Sequence, residues 1–296
     1  MRLRIGTRGS ALALAQSEWV AARLREIDGA LECELVRITT RGDRSQAAGT
    51  PLSSYSEKGV FAKEIEEALL AGEIDCAVHS MKDLAAVLPE GLVIAAIPAR
   101  EDPRDVLVGA RLADLAPGAR VGTGSVRRKA LLREMRPDLS VVDIRGNVDT
   151  RIRKVSEGVC EAVVLAAAGL KRLGRASEIA EKLDPLTFIP DPGQGALAIE
   201  ARGADEAVLA RLAALTNRPT AACALAERAF LRALGGGCSE PVGAWANFPE
   251  RRFTLHVMRA GGDGAITRAH VEGAAADPEA LGLRAAEALI AAEPGT

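Results

Sequence analysis

Apolar and polar residues alternate at the start of the chain, Leu3-Arg4-Ile5-Gly6-Thr7-Arg8, and a period of two predicts a strand. Ser10 then stands as the N-cap of a helix that the apolar spacing carries to about Ile27. A second strand is expected over Glu32 to Thr39. Residues 42–56 are rich in Gly, Ser and Thr and follow no period, which predicts a loop or lid. Phe61, Ile65 and Leu69 fall on one face of the next helix, which stops at Gly72. Asp75-Cys76-Ala77-Val78-His79-Ser80 reads as a short buried strand, with Met81-Lys82-Asp83 directly beyond its carboxyl end. In an open α/β sheet that end borders the ligand crevice.

Beyond a polar crossing bracketed by Pro98 and Pro103 the pattern restarts. Ala119 to Gly124 reads as a strand and turn, and Ser125 caps a helix to about Met135. Strands at Ser140 to Ile144 and at Ala162 to Ala166 flank a helix from about Thr150. Ile5-Gly6-Thr7-Arg8-Gly9-Ser10 and Val121-Gly122-Thr123-Gly124-Ser125 share one order: strand, Gly-Thr, short turn, serine cap, helix. Two similar α/β lobes are therefore expected to face one another across a cleft, each presenting a helix start to it. Ile189 to Gly195 is a second crossing, and Ala196 to Glu200 a strand returning to the first lobe. A helix with Thr220 as its N-cap ends at Gly235 in the C′ position. Strands at Phe253 to Arg259 and Ala265 to Val271, and a helix opened by Asp277-Pro278, complete a small α+β domain. The expected fold class is α/β, with lobes at 1–98 plus 196–215 and at 99–195, and a C-terminal α+β domain at 216–296.

Composition sharpens this picture. A chain of 296 residues fits two or three domains, and a net charge of −2 argues against bulk nucleic-acid binding. Five scattered cysteines without a C-x-x-C pair suggest neither a disulfide framework nor a zinc site. No signal-peptide pattern and no bilayer-length apolar run are present, so a cytoplasmic protein without a membrane partner is expected.

Several residues carry candidate chemistry. Cys238 follows Gly235-Gly236-Gly237 and precedes Pro241, a setting that suits an accessible thiol serving as nucleophile or attachment point. The alternative is a helix stop followed by a small buried hydrophobe. Arg127 and Arg128 lie in the first turn of the helix capped by Ser125, where the macrodipole disfavours each cation by roughly 0.3–1 kcal/mol. That placement makes sense if an anion occupies the helix start; otherwise they are solvated arginines in an Arg-rich chain. Arg145-Gly146-Asn147 and Arg151 follow the next strand, and Arg8 holds the equivalent turn of the first lobe. Arginines from both lobes, without a phosphate loop or a dinucleotide fingerprint, favour a small molecule bearing several carboxylates. Asp83, beside Lys82, is the acid/base candidate, with a helix cap as its alternative. His79 reads as structural, and His256 and His270 as incidental.

These motifs together resemble the porphobilinogen deaminase (hydroxymethylbilane synthase) family, over Arg4 to about Ala246. Those already quoted around Gly6, Asp83, Ser125 and Cys238 are joined by Lys58-Gly59-Val60-Phe61, Arg145-Gly146-Asn147-Val148-Asp149-Thr150-Arg151, Ala168-Gly169-Leu170-Lys171-Arg172-Leu173 and Gly193-Gln194-Gly195-Ala196. The resemblance implies two lobes like those of type II periplasmic binding proteins, a small third domain, and a dipyrromethane cofactor on a thioether to Cys238. It implies four porphobilinogens joined head to tail with loss of ammonia, then hydrolysis to hydroxymethylbilane, by a monomer. Asp83 matches the catalytic carboxylate, placed to stabilise an azafulvene cation and pyrrole N–H groups. Ser80, Lys82, Asp83, Thr123, Ser125, Arg127, Arg128, Arg145 and Gly146 match cofactor-binding positions. Arg8, Ser10, Lys58, Arg145, Arg151, Arg172 and Gln194 match substrate-binding ones. The chain departs from the family pattern at Ser53-Ser54-Tyr55, at Gly124, where a serine is common, and at Leu84-Ala85 after the aspartate.

Two other functions fit the residues by themselves. One is a non-catalytic carboxylate-binding protein of the same two-lobed fold, which a covalently bound pyrrole would exclude. The other is an acyl- or alkyl-transfer enzyme using Cys238 transiently, which a modification persisting in resting enzyme would exclude.

Overall fold

The alternation at the amino terminus builds β1 (Arg2–Thr7), which lies parallel to β2 (Glu32–Arg37) and to β3 (Cys76–Ser80). The structure is a computed structural model and describes residues 2–40, 62–235, 241–248 and 252–293. Its described residues form two compact units, one drawn from Met1–Arg100 and Ala196–Ala221, the other from Glu101–Gly195, Ala222–Gly235 and the residues beyond 240.

In the first unit the sheet order is β2-β1-β3-β10-β4, where β4 is Leu92–Ala96 and β10 is Leu197–Arg202. Strand β10 runs antiparallel between β3 and β4. Helix α1 (Ala11–Ile27) is capped by Ser10, whose Oγ accepts from the Ala13 N–H at 3.3 Å. Val20, Ala21 and Leu24 of α1 meet Leu3, Ile5 and Ile199 of the sheet in one core. Helix α2 (Lys63–Leu70) puts Ile65 and Leu69 into a second cluster with Ile74, Ala77 and Leu92. Each such fully buried side chain contributes about 1.5–3 kcal/mol. Phe61, expected on the same face, lies outside the described residues.

The second unit repeats the plan. Strands β5 (Asp105–Val108), β6 (Arg120–Gly122), β7 (Ser140–Val142), β8 (Ala162–Ala166) and β9 (Ile179–Lys182) assemble in the order β7-β6-β8-β5-β9. Strands β6, β7 and β8 are parallel and β5 is antiparallel to both its neighbours. Taking β6, β7 and β8 as counterparts of β1, β2 and β3, both sheets follow the order second, first, third, inserted, last. The inserted strand β5 follows the first crossing, and β10 follows the second. The internal repeat suggested by two Gly-Thr turns thus extends over whole sheets. Strands β4, β5 and β9 are not marked by period in the sequence: apolar runs such as Val106-Leu107-Val108 lack the alternation of a half-exposed strand, and β9, at four residues, is too short to show one.

Helices α3 (Val126–Met135), α4 (Val148–Ser156) and α5 (Ala167–Arg172) follow the carboxyl ends of β6, β7 and β8. α4 starts earlier than Thr150, because the Asn147 side chain accepts from the Thr150 N–H and caps it. Helix α6 is Glu206–Ala213 and α7 is Arg218–Ala233. Thr220 is not the cap of α7: Asn217 Oδ1 accepts from the Thr220 N–H at 3.0 Å, and Thr220 Oγ1 instead accepts from the Arg100 N–H. Gly235 has φ of +89°, as its C′ position requires. The antiparallel sheet β11 (Val242–Asn247), β12 (Phe253–Ala260) and β13 (Ile266–Gly273) carries α8 (Pro278–Ala291). Met258 and Ala260 of β12 share a core with Leu131, Leu132, Phe188 and Ile189.

Candidate active site

Three of the first unit's predicted residues gather where β3 ends. Ser80 closes the strand, and Lys82 and Asp83 lie on a single 3-10 turn, Met81–Asp83, pinned by the buried Met81. Met81 N–H donates to the Ala196 carbonyl at 3.0 Å, tying this turn to the start of β10. Arg8 and Ser10 follow the parallel neighbour β1, so they leave the sheet at the same end. Gln16 of α1, which is buried, donates through Nε2 to Ser80 Oγ at 2.9 Å. The Asp83 carboxylate is exposed and makes no hydrogen bond or ion pair among the described residues. Its alternative role as a helix cap has no support, since the turn it belongs to has no side-chain cap bond.

His79, one residue inside the strand, is buried and faces Glu200 of β10, with Nε2 3.1 Å from Oε2. Glu66 of α2 is a further buried acid. Burial and the Glu200 charge push its carboxyl up to about 7, against the pull of His79. His79 is therefore a structural residue, as its sequence context indicates.

In the second unit the parallel strands again release the predicted residues at their carboxyl ends. Thr123 and Ser125 follow β6, and Arg145, Gly146 and Arg151 follow β7. Ser125 Oγ accepts from the Arg128 N–H at 3.4 Å and caps α3. Thr123 is buried, with Oγ1 accepting from the Ser125 N–H. Gly146 has φ of +117°, and its carbonyl accepts from Arg151 Nε at 2.8 Å. Arg145 is exposed, 3.6 Å from Asp143. At Gly124 a Cβ would lie 3.2 Å from the Ile144 carbonyl oxygen and 3.3 Å from Asp143 Oδ1, so a side chain there would displace its neighbours.

Arg127, Arg128 and Gln194 do not stand open at the helix start. All three are buried around Asp105 of β5, a residue the sequence did not single out. Two guanidiniums thus share one carboxylate inside the unit. Burial alone would raise the Asp105 carboxyl; the two arginines and Gln194 instead hold it far below the usual range. Gln194, expected as a substrate contact, is fully enclosed and gives Nε2 to the Pro103 carbonyl at 2.7 Å. The only signal for Asp105 was its position before Val106-Leu107-Val108, where a carboxylate opens a buried run.

Arg172 ends α5 and donates through Nη2 to the Gly195 carbonyl at 2.7 Å. Burial lowers its guanidinium to about 10, and Glu101, paired with Lys171 at 2.7 Å, offsets this only in part. A desolvated cation of this kind suits an incoming carboxylate. The backbones are close here: Gly195 has φ of +87°, and a Cβ on it would strike the Glu101 carbonyl oxygen. α7 is held to the same segment by the buried Glu227, whose carboxylate accepts from the Gly193 N–H at 2.6 Å and the Ala246 N–H at 2.8 Å.

Lys58, Cys238 and residues 42–56, where a loop or lid is expected, lie outside the described residues. Of the other cysteines, Cys76, Cys160 and Cys223 are buried and Cys33 is half-buried. Burial raises the thiols of Cys33, Cys76 and Cys160, which disfavours the nucleophilic thiolate.

Comparison with known proteins adds two family matches. Residues 3–210 match the model described as "Porphobilinogen deaminase, dipyromethane cofactor binding domain", and residues 221–291 match "Porphobilinogen deaminase, C-terminal domain". A curated relative from Roseiflexus sp., named porphobilinogen deaminase, is 49% identical, covering 97% of this chain and 95% of its own. The relative of that name from Thermus thermophilus is 49% identical, covering 94% and 92%. Among solved structures, a TRAP periplasmic solute binding protein from Desulfovibrio salexigens aligns with a TM-score of 0.42 at 12% identity, over 73% of this chain and 72% of its own.

Proposed function

The chain belongs to the porphobilinogen deaminase family, and on that premise we propose how its residues share the work. The reaction joins four porphobilinogens head to tail, a C–C bond replacing a C–N bond as each ammonia leaves, and water finally releases hydroxymethylbilane. When bound, the dipyrromethane supplies the free pyrrole carbon from which the chain grows. Cys238 is the attachment point. The burial of Cys76, Cys160 and Cys223, and the raised thiols of Cys33, Cys76 and Cys160, support this by leaving those sulfurs poor nucleophiles.

The observation that carries the assignment is the exposed Asp83 carboxylate, unpaired among the described residues, at the carboxyl end of β3. A carboxylate with spare acceptor capacity can take pyrrole N–H bonds and face the positive charge that develops as ammonia departs. Ser80, Lys82, Thr123, Ser125, Arg127, Arg128, Arg145 and Gly146 hold the cofactor, and Arg8, Ser10, Lys58, Arg145, Arg151 and Arg172 the substrate chain. Gln194 acts from within, through the buried network around Asp105, rather than by touching substrate. The donor set fits a carboxylate-bearing group: arginine is the side chain with bidentate geometry for carboxylates, and Arg172 is desolvated without full compensation. The unit working this way is a cytoplasmic monomer, with lobes over 1–98 plus 196–215 and 99–195 and a C-terminal domain over 216–296.

Intact mass tests the assignment. Purified wild-type chain should exceed its sequence mass by two linked pyrrole units, and Cys238→Ala should lack the excess. A bare sequence mass in active wild-type enzyme would sink it.

A further inference from the structure

Asp105 is fully enclosed, and its two oxygens divide between two cations. Oδ1 accepts from Arg128 Nε at 3.1 Å, from Arg128 Nη2 at 2.7 Å and from Gln194 Nε2 at 3.0 Å. Oδ2 pairs with Arg127 Nη1 at 2.9 Å. Backbone carbonyls complete the cage: Arg128 Nη1 donates to Val164 at 3.0 Å and Arg127 Nη1 to Ile189 at 2.7 Å. The arginines are only 3% and 5% exposed.

One carboxylate against two guanidiniums leaves one positive charge in excess. No second carboxylate pairs with either arginine among the described residues. The excess sits in the first turn of α3, where the helix dipole adds to it. A buried net charge is costly unless a counter-ion meets it. Arg127 Nε is also enclosed and donates to no acceptor, and Asp105 Oδ2, though 2.9 Å from Arg127 Nη1, is enclosed and accepts no hydrogen bond. A ligand carboxylate would supply both the missing charge and the missing acceptor. Without Asp105, two like charges on adjacent residues would repel, and only single bonds to the Val164 and Ile189 carbonyls and a long contact to Gln194 would hold the side chains inward.

We propose that Asp105 is a positioning residue of the anion site: it holds Arg127 and Arg128 side by side with one charge in excess, so that the pair receives a ligand carboxylate. This rests on the cofactor-binding role given above to the two arginines. Asp105 touches no reacting atom; it acts through the guanidiniums.

The test follows cofactor loading by intact mass, using full-length chain produced without its cofactor and then given porphobilinogen. Asp105→Asn, close in shape but neutral, should load at least ten-fold more slowly than wild type. Asp105→Ala should be as slow, and 50–100 mM formate, but not equal chloride, should restore most of its rate by filling the vacated place; a residue that only packs would show no such rescue. In an Arg127→Gln background, adding Asp105→Asn should slow loading less than two-fold further. Loading of Asp105→Asn at the wild-type rate would overturn the proposal. So would faster loading, which would mean that Asp105 occupies the ligand's own place. If neither variant folds with or without formate, Asp105 is a core ion-pair residue and the proposal also falls. A wild-type chain that never acquires the added mass would instead defeat the cofactor assignment itself.

Discussion

At the scale of single residues, two acidic groups, one in each unit, differ in their access to water. Asp83 is exposed, with no partner among the described residues, whereas Asp105 is enclosed and ion-paired with two arginines. A carboxylate facing charge that appears only as ammonia leaves stabilises the transition state more than the bound substrate. Asp83→Asn should therefore fold normally and lose on the order of a hundred-fold or more in kcat, the scale of one preorganised electrostatic group. Asp83→Glu should keep more activity and accumulate enzyme carrying one to three added substrate units, visible as a ladder in mass spectra. An Asp83→Asn enzyme with near wild-type kcat and only a raised KM would mark a binding group. The place of Asp83 just beyond a strand end was legible from the sequence, because a short buried strand followed by Met-Lys-Asp is a local pattern. Asp105 was not, because its partners are 22, 23 and 89 positions away and only the sheet brings them together.

At the scale of elements, caps and buried pairs set local stability. Asn217 caps α7, so Asn217→Ala should cost about 1 kcal/mol in denaturant unfolding, whereas removing the Thr220 hydroxyl should cost only its bond to the Arg100 N–H. Glu66 of α2 lies under the sheet near His79 and Glu200, and its carboxyl is raised from 4.5 to about 7. For a carboxyl raised by folding, the unfolded state loses its proton first. The contribution to stability is then fully present below about 4.5 and is lost as pH rises through about 7. Wild-type chain should lose stability between pH 5 and pH 8, and Glu66→Gln should lose less. Equal pH dependence of melting in the two proteins would contradict the burial of an uncompensated acid there. Asp105 has the opposite sign: its lowered carboxyl stabilises above the ordinary carboxylate range, and that contribution fades in acid.

At the scale of the whole molecule, attachment of an anionic cofactor adds a ligand that only the folded state can hold. Stabilisation by such a ligand follows from linkage. A few charge-assisted hydrogen bonds of about 1.5–3 kcal/mol each should raise the melting temperature of holo protein above that of Cys238→Ala by on the order of 10 °C. Arg127→Leu and Arg128→Leu should both lower cofactor content and lose most of this increment. Calorimetry on mass-verified samples would show it, and equal melting of holo and cofactor-free chains would refute a carboxylate-binding role for the arginines.

Much of this was determined by the sequence alone. Ser10, Ser125 and Asp277 mark their helix starts by short-range bonds to the third residue on, and Gly235 marks a helix end by a conformation few other residues adopt. The alternation of β1 and of β12–β13 and the family motifs were likewise readable, since each depends on neighbours along the chain. Tertiary structure alone decided the rest. Strands β4, β5 and β9 became visible only once paired: β4 and β5 are continuous apolar runs without alternation, and β9 is only four residues long. Whether Arg127 and Arg128 met water, a ligand or a protein carboxylate depended on which strand was inserted beside β8. That strand is β5, and it carries Asp105 into the space before the first turn of α3. Residue spacing cannot encode such a meeting, because electrostatic pairing depends on distance through space and on the exclusion of water, and both are set by the assembled sheet.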